Sequence, residues 1–121
     1  MNTKRFLSTM LMSEKDFLHS LIADARSYTR GNTYIKDKDI YCLYYSYYDI
    51  IKFEKMYMQE AEINFTDTEE EIYNDYIEHS NDLLDMLLSS AYYGYNDRLF
   101  TDIQDIASTV IENIEDLQFY L

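Results

Sequence analysis

The chain has no proline, no tryptophan and only two glycines, Gly31 and Gly94, in 121 residues. Sheets are assembled through many tight turns, and tight turns draw on Gly and Pro. So few turn formers argue against a sheet protein and favour helices joined by a few links. Cys42 is the only cysteine, which excludes an internal disulfide. It sits between Tyr41 and Leu43 with no basic residue beside it to lower its pKa, and is expected to be a small buried hydrophobe. No run of eighteen apolar residues occurs, so no membrane span is expected. Near the start, Lys4 and Arg5 precede a short apolar patch, but Ser8 and Thr9 interrupt it. No small-residue cleavage site follows before Glu14 and Lys15, so the segment reads as mature protein and the location as cytoplasmic.

Catalytic constellations are scarce as well. His19 and His79 are the only imidazoles. Asp75 and Asp82 lie within reach of His79 on one helix, which makes half a metal site at most. A di-metal bundle needs a Glu three residues before each His, and neither has one. Both histidines are expected at the surface or its boundary. Two isolated glycines cannot form a phosphate-binding loop. Paired carboxylates are plentiful in the second half but fall on exposed faces, where nothing would separate their pKa values. The expectation is a binding protein, not an enzyme, with no cofactor and no metal.

What the chain does have is apolar periodicity. Apolar residues and Tyr make up 47% of it, enough for one core in one domain spanning residues 1–121. Ser13 with Asp16 three residues on suggests a capped helix start. From there Phe17, Leu18, Leu21, Ile22, Ala25 and Tyr28 form one stripe, and Gly31 suits the left-handed end. Phe6, Leu7, Met10 and Leu11 suggest a short separate helix or turn before it. A second helix is expected from about Asp37 to about Glu62. Ile40, Tyr41, Tyr44, Tyr47, Tyr48 and Ile51 form one stripe there, and Leu43, Ile50, Phe53 and Tyr57 another. An element so apolar around its circumference is either central or shared with a partner. The tyrosine-rich run also suits a strand, but no turn residue interrupts it and helix is preferred.

A third helix opens at Thr66 or Asp67, with Glu69, Glu70 and Glu71 at the positive end of its dipole. Its stripe is Ile72, Tyr73, Tyr76, Ile77, Leu83, Leu84, Leu87 and Leu88. A fourth begins between Asn96 and Thr101 and carries Ile103, Ile106, Ala107, Val110, Ile111, Ile114 and Leu117. The link between them is short, so they should pack as an antiparallel hairpin. The fold class expected is all-α, a compact bundle of about four helices.

Charge is divided unequally along the chain. Residues 1–55 hold nine Lys or Arg against seven Asp or Glu, a balance of +2. Residues 56–121 hold Arg98 alone against sixteen acids, a balance of −15. Such asymmetry speaks to partners, not to fold. On the third helix Glu71, Asp75, Glu78, Asp82 and Asp85 recur every three or four residues, which puts them on one face opposite the leucines. On the fourth, Asp102, Asp105, Glu112 and Asp116 keep the same rhythm, with Thr109 in the vacant position. A charge every third or fourth residue is one per roughly 5 Å of helix. Two such helices side by side reach roughly one per 2.6 Å, between the figures of about 1.7 Å for duplex DNA and about 3.4 Å for one of its strands. A solvated face that is merely acidic accounts for one such stripe more readily than for two with a single cation between them.

In composition and spacing the acidic half, Met56 to Leu121, resembles the phage-encoded DNA mimics, the anti-restriction and anti-CRISPR proteins. No motif carries the likeness, so no family residue transfers, and the balanced first half departs from mimics that are acidic throughout. The resemblance implies an inhibitor whose partner is a basic nucleic-acid-binding protein, such as a defence nuclease. The nine acids above would stand in for phosphates, and the host cytoplasm would be the site of action. Direct nucleic-acid binding is disfavoured, since the spare cations are in the first half. Fourteen tyrosines add contact surface at low entropic cost. Tyr92, Tyr93 and Tyr95 at the hairpin tip are candidates for partner anchoring. Tyr44, Tyr45 and Tyr48 on the second helix are candidates for self-association. Two other readings remain open here: an immunity protein or antitoxin that neutralises a basic toxin, and a helical homodimeric scaffold.

Overall fold

The computed structural model describes residues 3–29, 37–93 and 97–121, without the side chains of residues 28, 29, 37–39, 92, 93 and 97. Four helices account for nearly all of it: α1 (Thr3–Thr29), α2 (Asp37–Glu60), α3 (Asp67–Tyr93) and α4 (Asp97–Tyr120). No strand occurs among the described residues. The helix end assigned to Gly31, and Tyr95 of the expected hairpin tip, lie outside the described residues.

The expected break at Ser13 does not exist. Leu7, Leu11, Glu14, Leu18, Leu21 and Ala25 are all buried and fall four, three, four, three and four residues apart, one uninterrupted stripe on α1. Burial of Leu7 and Leu11 on the same face as Leu18 outweighs the local capping preference of Ser13, which is worth about 1 kcal/mol at a true helix start. Ser13 therefore lies exposed in mid-helix.

The genuine capping box is at α3. Thr66 N donates to Glu69 Oε1 at 2.8 Å, and Glu69 N donates to Thr66 Oγ1 at 3.2 Å. Two orphan amides of the first turn are thereby satisfied. Glu69 is buried rather than merely placed for the dipole, because Lys4 Nζ donates to the same Oε1 at 2.7 Å and ties α1 to α3. At the other end of the preceding link, Glu62 N donates to Gln59 O and Ile63 N to Met58 O, both at 3.3 Å. These bonds close α2 with Glu62 in the left-handed region, φ 51°.

Cross-helix contacts give the topology. Tyr57 bonds Thr3 while Tyr47 bonds Glu14, so α1 and α2 are antiparallel. His79 meets Asn113, and Gln118 Nε2 donates to Ser8 O, joining α4 to α3 and to α1. The helices follow one another around the bundle, with α4 packed closely on both α1 and α3. The edge between α1 and α2 is the sparsest. Aromatic rings fill it instead of close backbone approach: Phe6 against Tyr57 at 4.9 Å, and Phe17 stacked on Tyr47 at 5.7 Å.

Candidate functional site

Two groups of carboxylates stand out, and they occupy opposite environments. The first is the acidic rhythm of α3 and α4. Glu71, Asp75, Glu78, Asp82 and Asp85 are exposed on α3; Asp105, Glu112 and Asp116 are exposed and Asp102 half-buried on α4. The seam between the helices is marked by His79 Nδ1 and Asn113 Oδ1, 2.7 Å apart. Three residues before and four after His79 are Tyr76 and Leu83; the same steps from Asn113 reach Val110 and Leu117. All four are buried, so these steps point into the core. The opposite steps, four back and three forward, rotate a helical side chain by about 40–60° the other way. They reach Asp75 and Asp82 on α3, and Thr109 and Asp116 on α4. Because the helices are antiparallel, both rows border the same outer seam.

None of the nine acids has an ion-pair partner among the described residues; Lys4 pairs with Glu69, on a different face. Arg98 is exposed at the start of α4. Of the candidate anchors, the side chains of Tyr92 and Tyr93, and all of Tyr95, lie outside the described residues. The three tyrosines of α2 do come together: the Tyr44 ring is 5.2 Å from Tyr45 and 6.1 Å from Tyr48. Tyr44 is half-buried, whereas Tyr45 is 58% and Tyr48 42% exposed. Cys42 corrects its expectation, since it is exposed. The stripe that buries Ile40, Tyr47 and Ile51 turns residue 42 outward, and its apolar neighbours in sequence point elsewhere. His19 is exposed as expected, and His79 is the half-buried boundary residue just described.

The second group went unread in the sequence. Glu14 of α1 and Glu54 of α2 are buried at the centre of the bundle, 0% and 4% exposed. Tyr47 Oη donates to Glu14 Oε2 at 2.8 Å, and Tyr76 Oη bonds Glu14 Oε1 while lying 2.7 Å from Glu54 Oε2. Tyr76 has one hydroxyl proton and two carboxyl partners. The three tyrosine–carboxyl contacts need three protons, and the two tyrosines supply two, so a carboxyl must supply the third. Burial drives the Glu54 carboxyl up to about 10, helped by the adjacent Glu14 charge, so at neutral pH it is the acid that holds this proton. Burial also raises Glu14, but bonds from Glu54, Tyr76 and Tyr47 pull it back. Both tyrosine hydroxyls are pushed up by burial and by the Glu14 charge, and Tyr73 nearby is raised to about 12. One atom of the network, Glu54 Oε1, is buried without a hydrogen-bond partner.

The signal for this cluster was legible. Glu14 stands at a core step of Leu7-Leu11-Glu14-Leu18, and Glu54 at a core step of Tyr47-Ile51-Glu54-Met58. A carboxyl in an apolar stripe has to be neutralised or hydrogen-bonded.

Above this cluster, along the sparse α1–α2 edge, opens a groove of about 420 Å³ lined by Met10, Ser13, Asp49, Ile50, Phe53 and Glu54. It lies between the two aromatic pairs that wedge the helices apart. Among the described residues no cluster of three or more His, Cys, Asp or Glu is arranged to hold a metal ion, and no helix is long and apolar enough to cross a membrane. Comparison with protein-family models, with curated proteins and with solved structures finds no match to this chain.

Proposed function

We propose that the chain is an inhibitor that binds the basic nucleic-acid groove of a nuclease or related defence enzyme, presenting the α3–α4 seam in place of phosphates. It acts by binding and not by turnover. The observation that carries this reading is the pair of acidic rows, Glu71 to Asp85 and Asp102 to Asp116, bordering one outer seam with no ion-pair partner among the described residues. Like charges three or four residues apart on a helix repel by several tenths of a kcal/mol per pair. A face that serves only as a solvated surface relieves that repulsion by interleaving lysines; this one leaves it for a cationic partner to relieve. The rows are held by rigid helices in the bundle, so little ordering cost falls on association.

The resemblance to phage anti-defence proteins supports this reading and implies action in the cytoplasm of an infected cell. The test is competition: a panel of restriction and CRISPR nucleases is titrated with the protein against labelled duplex DNA at rising salt. Displacement of DNA from one of them, weakening steeply with ionic strength, is the expected result. The quadruple reversal D75K/D82K/E112K/D116K should abolish it while leaving the helical circular dichroism intact. Binding that ignores salt, or that survives the reversal, removes the proposal.

A further inference from the structure

We propose that the α1–α2 groove is a binding site for a small amphipathic amine, its apolar stem held between Met10, Ile50 and Phe53 and its ammonium group paired with the Glu54 carboxylate. The site lies on the edge of the bundle opposite the α3–α4 seam and does not depend on the inhibitor reading.

Three observations point to this ligand chemistry. The groove measures about 420 Å³, within the range of small-molecule sites, and its walls are one thioether, one branched aliphatic and one aromatic side chain. Phe53 is 65% exposed, so much of its ring is open to a ligand, and its face can also receive a cation. The second observation is charge. The groove's polar lining is Ser13, Asp49 and Glu54, with no Lys, Arg or His among its residues. The third is Glu54 itself: its side chain is buried, one oxygen is held by Tyr76, and the other has no partner. A buried acceptor without a donor costs roughly 1–3 kcal/mol, and an entering N–H group recovers it.

The groups that face Glu54 define the proton balance. They are Glu14 from α1, Tyr47 and Asp49 from its own helix, and Tyr73 and Tyr76 from α3. Lys55 lines the small cavity of about 10 Å³ on its inner side without pairing to it, and α4 contributes the apolar Leu117 there. Burial leaves Glu54 protonated at neutral pH. When an alkylammonium enters, the Glu54 O–H bond breaks and its proton passes to solvent. Tyr76 then donates its one hydroxyl proton to Glu14 alone, its contact with Glu54 Oε2 opens, and the ammonium N–H groups take over the Glu54 carboxylate. One proton is released per ligand bound. Glu54 Oε1 is covered in this structure, so the ammonium reaches it as the groove's side chains move aside.

The experiment is calorimetric titration with 2-phenylethylamine at pH 8 in two buffers of different ionisation enthalpy, beside the uncharged analogue 2-phenylethanol. Saturable amine binding, release of about one proton and at least about tenfold weaker binding of the alcohol are expected. Glu54→Gln, which keeps the size of the neutral acid, should lose both the proton release and the preference for amine. Ser13→Trp fills the groove from an exposed position and should block both ligands, which keeps the test open if Glu54→Gln does not fold. Equal binding of amine and alcohol, amine binding without proton release, or no saturable binding overturns the proposal. A capped lysine peptide that binds more tightly than the free amine overturns the small-amine assignment in favour of a protein side chain.

Discussion

Carboxylates on the α3–α4 seam and carboxyls at the centre of the bundle are the same chemical group under opposite conditions. On the seam, eight exposed acids and the half-buried Asp102 lie in two rows at the surface. At the centre, Glu14 and Glu54 lie away from water beside tyrosine hydroxyls, and the only way to satisfy every contact is to keep a proton between them. Glu69 is a third case: burial alone would raise its pKa, but Lys4 and Thr66 bond it and hold it below the usual value. Acidity in this protein is therefore not one property. It is surface charge in one place, a shared proton in another and a structural ion pair in a third.

The sharpest way to break this comparison is Glu14→Ala. It leaves the buried Tyr47 hydroxyl without its acceptor and Tyr76 with Glu54 alone, opens a cavity at the centre of the core, and should cost about 3–5 kcal/mol in urea unfolding. A loss below about 1 kcal/mol would mean that the cluster is hydrated and not the sealed network described here.

Next comes the pH dependence of Glu54. Its carboxyl is raised from 4.5 to about 10 in the folded protein, so between those values the folded state binds the extra proton. Stability from this group is full below the unfolded pKa and falls as pH rises towards 10, by at most about 1.4 kcal/mol per pH unit. Glu54→Gln should therefore melt higher than the parent at pH 9 and show little advantage at pH 4. Parallel melting curves across that range would show that Glu54 does not hold the proton.

Thr66→Ala removes one half of the α3 capping box and should cost about 1 kcal/mol. Lys4→Met strands the buried Glu69 carboxylate and should move acid unfolding, since a depressed pKa contributes stability that is lost as pH falls through it. An unchanged acid limb would place the Lys4 contact outside the energetics of the fold. The smallest effect belongs to the seam. Asp75→Asn with Asp116→Asn should stabilise the bundle by several tenths of a kcal/mol at low salt, and the gain should vanish near 1 M salt as screening shortens to about 3 Å. A loss of stability instead would show that these acids make native contacts.

Much of the fold was legible in the chain. Few turn formers and steps of three and four were enough for four helices and the C-terminal hairpin, because those features report local backbone preference and one-sided burial. The missed points have a common cause. Ser13 and Asp16 carry a local start signal that Leu7 and Leu11 override through burial. Cys42 is apolar by type and surrounded by apolar letters, yet the rotation of α2 set by Ile40, Tyr47 and Ile51 turns it outward. Glu14 was read as a charge after a short apolar patch, when its place in the stripe made it a core residue.

The candidate site divides along the same line. Sequence by itself determined that the acids of α3 and α4 form two rows, since spacing on a helix fixes which side chains share a face. It could not say whether the rows diverge or converge, because that depends on how each helix is rotated against its neighbour. The His79–Asn113 contact decides that rotation and brings both rows to one seam. Tertiary structure alone also decided that Glu14, Glu54, Tyr47 and Tyr76 meet, and that α1 and α2 part to leave a groove above them. No local pattern encodes a proton shared among three helices, since α1 contributes Glu14, α2 contributes Tyr47 and Glu54, α3 contributes Tyr76, and the chemistry exists only when they are packed together.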